Sequence, residues 1–174
     1  MSLNGRALDK KPFCLVGMMG CGKSSVGELL AQQLHVPFYD SDLEIERESG
    51  KSITELFQER GEIAFRELER AAILRLVDGV PGVLSIGGGA FIQEANRTVL
   101  LERMECFYLK TRPETIYERV KEFTHRPLLQ NQDPLGTLKK LLSERESFYQ
   151  LCPAVVETDG KALEQIVQEI IAAH

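Results

Sequence analysis

Residues 13–34 read FCLVGMMGCGKSSVGELLAQQL and contain three kinds of segment in succession. The first four residues are apolar, which predicts a short buried strand. A glycine-rich loop follows, and from Val26 onward leucines recur at helical spacing, which predicts a helix with one face on a sheet. A strand, a tight loop and a helix in this order begin a parallel βαβ unit. This stretch therefore predicts an α/β fold.

The loop at 17–24 fits the pattern G-x-x-x-x-G-K-S, and it lies between a strand and a helix as that pattern requires. Glycines allow backbone N–H groups to surround phosphate oxygens, and the helix N-terminus adds positive potential. Lys23 would reach the β- and γ-phosphates, and the Ser24 hydroxyl would bind Mg²⁺. A glycine-rich turn with an exposed lysine is the alternative, but the complete motif in its context favours a nucleotide site. The residues that this loop would bring to the nucleotide are Gly17, Gly20, Cys21, Gly22, Lys23, Ser24 and Ser25.

The composition is that of one acidic globular chain. Its 174 residues carry 21 basic and 26 acidic side chains, a net charge of −5, which argues against a nucleic-acid coat or a basic membrane patch. The longest near-apolar run, 12–22, falls short of the roughly 18 residues that a membrane helix needs. No secretory signal follows the basic N-terminal residues. We expect a monomer in the cytoplasm that acts on small molecules, without nucleic-acid or membrane partners.

The four cysteines, at positions 14, 21, 106 and 152, show neither a CxxC pair nor metal-ligand spacing with the histidines. We interpret them as reduced thiols that fill the core. Cys21 lies inside the glycine loop, where a small side chain is required, and it is interpreted there as a substitute for Ala or Ser. A redox switch is the alternative, because a helix N-terminus can lower the pKa of a thiol.

Short β-rich runs alternate with longer helical patterns along the whole chain, as in a parallel sheet covered by helices. A helical insertion is predicted over 42–78, with a break at 50–52 where Ser52 and Glu55 have capping-box spacing. The stretch 121–136 lacks sustained periodicity, which predicts a lid over about 119–136. The predicted strands are Phe13–Val16, Val36–Tyr39, Gly82–Ile86, Cys106–Leu109 and Ala154–Val156, and the last helix is Ala162–Ala172. We expect a single domain over 1–174.

Two further loops end predicted strands at the edge where open α/β sheets bind ligands. Asp40-Ser41-Asp42 follows the second strand, and its carboxylates are candidates for Mg²⁺ and for substrate hydroxyls; a capped helix start with a solvated pair is the alternative. Gly87-Gly88-Gly89 ends the third strand and permits close backbone approach to a ligand. A plain strand-to-helix turn is the alternative there.

Two arginines on predicted helices differ in their surroundings. Arg66 has Glu62 and Glu69 at helical spacing, so the pattern alone favours a solvated, ion-paired face. Arg145 falls in the middle of an apolar stripe, where a guanidinium must find an anion. That anion is either a protein carboxylate or a substrate carboxylate, and the residues alone leave both open. The basic residues of the predicted lid are likewise either solvated or phosphate-binding.

Six segments, in their order and spacing, resemble the shikimate kinases. They are GMMGCGKSSVG at 17–27, DSD at 40–42, FRELE at 65–69, GGGA at 87–90, RPLL at 126–129 and RESFY at 145–149. The resemblance implies transfer of the γ-phosphate of ATP to the 3-hydroxyl of shikimate, with Mg²⁺, in the pathway to chorismate and the aromatic amino acids. It also implies a nucleoside-monophosphate-kinase-like fold with a five-stranded parallel sheet in the order 2-3-1-4-5.

The resemblance also assigns roles to individual residues. Asp42 would contact the shikimate hydroxyls and act as the base, while Arg66 and Arg145 would clamp the carboxylate. Gly88, with Gly87 and Gly89 on either side, would offer backbone to the same ligand. The remaining assignments are Phe57 as the aromatic wall, Asp40 as the carboxylate that holds Mg²⁺ through water, Arg126 on the phosphates and Arg119 on adenine.

Two departures from the family are mild. Cys21 stands where Ala or Ser is usual, and Ser25 where Thr is frequent. A gluconate kinase of similar build and a nucleotide-binding regulator without catalysis are the competing hypotheses. The FRELE segment with the paired arginines favours shikimate, and the intact Lys23, Ser24, Asp42 and Arg126 argue against a regulator.

Overall fold

The computed structural model describes residues 11–79, 81–121 and 132–174. Its five strands form one parallel sheet in the order β2-β3-β1-β4-β5, which confirms the predicted order. The strands are β1 Phe13–Val16, β2 Phe38–Asp40, β3 Val83–Ser85, β4 Glu105–Lys110 and β5 Ala154–Glu157. The helices are α1 Lys23–Leu34, α2 Ser41–Ser49, α3 Ile53–Asp78, α4 Glu94–Arg103, α5 Pro113–Val120, α6 Pro134–Tyr149 and α7 Leu163–Ala173, and Ala90–Ile92 forms a 3₁₀ turn.

The sheet is buried on both faces because alternate residues of its central strands face opposite helical layers. On one face, Cys14, Val16 and Tyr108 pack with residues of α3, α4 and α6. On the other face, Leu15 and Phe107 pack with α1 and α7. This two-sided burial explains why the strands are nearly continuous apolar runs. All four cysteines are free and buried, as the core interpretation predicts.

The predicted helical insertion consists of α2 and α3, which pack around a third small core of Ile45, Leu56, Phe65 and Ala72. Ser52 and Glu55 form the predicted capping box at the start of α3. The structure adds an interruption that the sequence did not predict, because α3 has a non-helical backbone at Gly61, where φ is +76°. Glycine tolerates this conformation and other residues resist it.

The predicted lid at 119–136 is only partly within the described residues. Positions 119–120 belong to α5 and 134–136 belong to α6. Arg126 and the rest of the RPLL segment lie outside the described residues. Among the helices of the described ranges, none combines the length and apolarity needed to cross a bilayer.

Candidate active site

Two clefts meet at the carboxyl ends of β1, β2 and β3. We call the first the arginine cleft; it measures about 400 Å³ and is lined by Asp42, Phe57, Arg66, Arg145 and the three glycines 87–89, among others. We call the second the phosphate-loop cleft; it measures about 550 Å³ and is lined by Gly20, Gly22, Lys23, Ser24, Ser25, Asp40, Asp42 and Arg119, among others. Asp42, Gly87 and Gly88 border both clefts. The fold therefore brings nearly all described candidate residues to one edge of the sheet.

The phosphate loop holds its lysine with its own backbone. Lys23 Nζ donates hydrogen bonds to the carbonyl oxygens of Gly17 and Met18, at 2.8 and 2.9 Å. Gly20 and Gly22 have φ values of +74° and +100°, which explains the requirement for glycine in the turn. Gly22 is the N-cap of α1, so the positive end of that helix faces the loop.

Two predicted nucleotide contacts, Gly17 and Cys21, do not line the cleft. The Cys21 side chain is buried, and a Cβ placed on Gly17 would lie 2.9 Å from Cys21 Sγ. The thiol therefore fills space beneath the loop, which agrees with its interpretation as a small residue in place of Ala or Ser. Arg119 is exposed, and its Nη1 donates to the Gly20 carbonyl oxygen at 3.4 Å.

Asp40 links the start of α2 to the phosphate loop. Its Oδ1 accepts hydrogen bonds from the N–H groups of Asp42 and Leu43, at 3.0 and 3.2 Å, so it caps α2. Its Oδ2 accepts a hydrogen bond from the Ser24 hydroxyl at 3.3 Å. The sequence presented a capped helix start and an acidic ligand site as alternatives. Asp40 is compatible with both, because one carboxylate oxygen caps α2 and the other faces Ser24.

Asp42 lies where the two clefts join, and its electrostatic surroundings are unfavourable for a carboxylate. Burial, and then the charge of Asp40, raise the pKa of Asp42 to about 6, while the charges of Lys23 and Arg66 oppose that rise. A carboxyl group with a pKa near neutrality is suited to accept a proton under physiological conditions.

Arg66 forms the ion pairs that its sequence spacing predicts, but its face is not solvated. It donates to Glu69 Oε2 at 2.8 Å and lies 3.5 Å from Glu62 Oε1, and its side chain is 20% exposed. Glu69 is 1% exposed. The Arg66 Nε is buried and has no hydrogen-bond partner among the described residues. The prediction of a solvated face is therefore wrong, because this face of α3 points toward the arginine cleft.

Each residue of the glycine run lies against a different side chain of the site. A Cβ on Gly87 would lie 2.8 Å from Asp42 Oδ1, and one on Gly89 would lie 2.6 Å from Arg66 Nη2. A Cβ on Gly88 would lie 3.4 Å from Arg145 Nη1. The three glycines therefore allow the charged groups of the site to approach the backbone closely.

Arg145 forms no ion pair within the described residues, in contrast to Arg66. It lines the arginine cleft beside Gly88. Among the described residues no carboxylate lies within ion-pair distance of Arg145, although its charge acts on the nearby Glu69 carboxylate.

Sequence reasoning missed three residues of this site. Ser41 is buried, and its hydroxyl accepts a hydrogen bond from the Gly87 N–H at 3.1 Å. Glu69 and Tyr149 were given no role of their own, although the Tyr149 hydroxyl donates to the Gly88 carbonyl at 2.7 Å. All three residues lie within the quoted segments DSD, FRELE and RESFY, and those positions were the available signal.

Phe57 lines the arginine cleft as expected of an aromatic wall. Its ring packs on Phe65 with a centroid distance of 4.3 Å, and the Arg66 guanidinium lies 5.9 Å from the Phe57 centroid. The rings therefore give the cleft an apolar side next to its charged groups.

Comparison with known proteins places the chain in a family. The shikimate kinase family model matches residues 19–174. A shikimate kinase of Zymomonas mobilis is 47% identical over 94% of this chain and 93% of the relative. The structure of a shikimate kinase from Acinetobacter baumannii in complex with shikimate matches with a TM-score of 0.90 and 37% identity, over 95% of this chain and 93% of that one.

A gluconokinase structure from Sinorhizobium meliloti matches more weakly. Its TM-score is 0.58 at 20% identity, over 93% of this chain and 90% of that one, which is a likeness of fold alone. The family match, the near full-length relatives and the arrangement of the two clefts agree, and the chain belongs to the shikimate kinase family.

Proposed function

We propose that this chain transfers the γ-phosphate of ATP to the 3-hydroxyl of shikimate, giving shikimate 3-phosphate and ADP. The observation that carries the proposal is the junction of the two clefts at Asp42 and Gly88. A phosphate-binding loop on one side and a pair of arginines on the other suit one ligand with phosphates and one with a carboxylate. This is the reaction of the family to which the chain belongs.

The arginine cleft has the charge distribution that a cyclic hydroxy acid requires. Arg66 and Arg145 would bind the carboxylate of shikimate, because planar guanidinium groups donate paired hydrogen bonds to such an anion. Asp42 lies against Gly87, whereas the arginines lie against Gly88 and Gly89, so the opposite charges follow one another along the glycine run. Phe57 would pack against the carbon ring.

Asp42 would orient the 3-hydroxyl and accept its proton. A pKa of about 6 leaves Asp42 mostly ionised at neutral pH, so the acceptor is present when the hydroxyl attacks. Phosphoryl transfer passes through a loose transition state, so the proton leaves late and most of the catalysis comes from positioning and charge stabilisation.

The phosphate-loop cleft would hold ATP and Mg²⁺. The loop N–H groups and Lys23 would contact the phosphates. The Ser24 hydroxyl and the Asp40 carboxylate provide neighbouring hard oxygen donors, which fit Mg²⁺, an ion that keeps several waters and also binds substrate phosphates. When bound, Mg²⁺ would neutralise phosphate charge. Arg119 would lie near adenine, while the assignment of Arg126 to the phosphates rests on the resemblance alone.

We further propose that the chain works as a monomer in the cytoplasm and needs no nucleic-acid or membrane partner. The clefts are built from one chain, and the net charge of −5 is unsuited to polyanions. Size-exclusion chromatography with light scattering at assay concentrations would report the molecular mass in solution, and we expect the mass of a single chain.

A coupled assay of ADP release tests the function. The protein is supplied with ATP and Mg²⁺ and with shikimate, quinate or gluconate as acceptor, and parallel reactions contain excess chelator. We expect turnover with shikimate, little with the other acids, and loss of turnover with chelator. A preference for gluconate would support the competing kinase, and nucleotide binding without turnover of any acid would support the regulator.

A further inference from the structure

The hydroxyl group of Tyr149 lies next to the junction of the two clefts. Tyr149 ends α6, one helical turn after Arg145, and its side chain is buried. The hydroxyl donates to the Gly88 carbonyl at 2.7 Å and lies 3.7 Å from Met18 Sδ in the phosphate loop. A tyrosine hydroxyl has one proton to donate, so the short bond to Gly88 takes it and the sulfur contact is secondary.

Gly88 is enclosed by three parts of the site. A Cβ placed on it would lie 3.4 Å from Arg145 Nη1, 3.4 Å from the Gly17 carbonyl oxygen and 3.5 Å from the Tyr149 hydroxyl. Because a peptide unit is planar, holding the Gly88 carbonyl also fixes the direction of the Gly89 N–H. Gly89 in turn lies against Arg66. The Tyr149 hydroxyl therefore holds a peptide between the two arginines.

Arg145 acts on the same hydroxyl. Burial raises the pKa of Tyr149 to about 12, and the nearby positive charge of Arg145 opposes this rise. The hydroxyl thus stays protonated across the neutral range. It donates to Gly88 and can accept from the guanidinium at the same time.

Tyr108 provides a matched control inside the same core. Its ring packs on Tyr149 with a centroid distance of 5.2 Å, and its side chain is 1% exposed. Its hydroxyl has no hydrogen-bond partner among the described residues. Two neighbouring buried tyrosines therefore differ in whether the hydroxyl is bonded to the site.

We propose that Tyr149 is a positioning residue for the acid substrate: its hydroxyl holds the Gly88 peptide and the Arg145 guanidinium in the arrangement that receives the carboxylate. This inference rests on the proposed function and concerns how the arginine cleft is held. Its effect falls mainly on the binding of shikimate, because Arg145 lines only the arginine cleft, although Gly88 borders both clefts. The nucleotide contacts depend on it little, because the hydroxyl reaches the phosphate loop only at Met18, which does not line the phosphate-loop cleft.

Steady-state kinetics of Tyr149→Phe and Tyr108→Phe test the inference. Loss of the hydroxyl leaves the Gly88 carbonyl without its donor, and we expect a rise of about five- to twentyfold in KM for shikimate. The turnover number kcat and KM for ATP should change less than about twofold, since a positioning role for one substrate leaves both unaffected. Tyr108→Phe should leave all three within about twofold. Two results would overturn the inference. One is the same KM for shikimate in Tyr149→Phe and Tyr108→Phe, and the other is an equal rise in KM for shikimate and KM for ATP in Tyr149→Phe.

A second measurement separates positioning from a general packing role. Shikimate binding is followed by chemical-shift titration, which reaches weak dissociation constants, in the wild type, Tyr149→Phe, Arg145→Ala and the double variant. We expect Tyr149→Phe to weaken binding by a smaller factor when Arg145 is absent than in the wild type, because one of the two groups that the hydroxyl holds is then missing. An undiminished effect in the double variant would overturn the inference. A wild type that binds shikimate without phosphorylating it would instead contradict the proposed function, while these titrations would still test Tyr149.

Discussion

Replacement of Asp42 by Asn should lower turnover sharply and yet make the ligand-free protein more stable at neutral pH. Burial and the neighbouring Asp40 raise the pKa of Asp42 from 3.8 to about 6. The folded protein therefore holds this proton more tightly than the unfolded chain does. Asn is uncharged at every pH, so the substitution removes the penalty of an ionised, buried carboxyl group.

The sign and size of the effect follow from that pKa difference. Because the folded state binds the proton more tightly, the carboxyl group lowers stability progressively as pH rises from about 4 to about 6, and the full cost applies above that range. A difference of about two pKa units corresponds to about 3 kcal/mol. For a chain of this length, that free energy corresponds to a rise in Tm of roughly 6–12 °C.

The assay is a series of thermal melts between pH 4 and pH 8, without Mg²⁺ or ligands, on the wild type and Asp42→Asn. We expect the Tm difference to be largest at pH 8 and to vanish near pH 4, while kcat falls by about 10²–10⁴. Asp78→Asn serves as the control, because Asp78 is an exposed carboxylate in a surface ion pair with Arg103. Its effect should stay within about 1 kcal/mol. A Tm difference for Asp42→Asn that is independent of pH, or a loss of stability at pH 8, would refute the reasoning.

Four further substitutions test the rest of the site. Lys23→Ala should lower kcat by at least about 10³-fold with a Tm close to that of the wild type, because its charge is used on phosphate; near-native activity in the coupled assay would contradict the nucleotide site. Arg66→Ala and Arg145→Ala should each weaken shikimate binding by about 1.5–3 kcal/mol, with non-additive effects and unchanged ATP affinity by calorimetry; simple additivity would show that they do not share one carboxylate. Gly89→Ala should raise KM for shikimate at least about tenfold, because its Cβ would lie 2.6 Å from Arg66 Nη2, and an unchanged KM would show that Arg66 does not need this position.

The sheet could be predicted from the sequence because its strands are buried on both faces. The bounds of β1 are predicted without error. The second strand begins at Phe38 and not at the predicted Val36. Pro37 has no N–H to donate to a neighbouring strand, so regular pairing begins after it. The interruption of α3 at Gly61 was visible only as a glycine in a helical pattern, and such a glycine is often tolerated in a straight helix.

The candidate site was predictable where a residue type conflicts with its local pattern. Arg145 on an apolar stripe is such a conflict, and the run of three glycines is another. The charge of Arg66 does not conflict with its local pattern, because Glu62 and Glu69 at helical spacing explain it. Periodicity therefore cannot reveal that this helix face points toward a cleft. The hydrogen bond from Tyr149 to Gly88 joins residues far apart in the chain. The position of a tyrosine in an apolar stripe does not indicate which carbonyl its hydroxyl will bind.

The contrast between the two arginines explains what each contributes to substrate binding. Arg66 is held by Glu69, a carboxylate with 1% exposure, so its position is fixed before any ligand binds and part of its charge is neutralised. Arg145 forms no ion pair within the described residues, so most of its charge remains for an external anion. A guanidinium that is only partly exposed and has no carboxylate within ion-pair distance is unfavourable for the fold. The substrate carboxylate would remove this free-energy cost when it binds beside Arg145. Arg145 should therefore contribute more to shikimate affinity than Arg66 does.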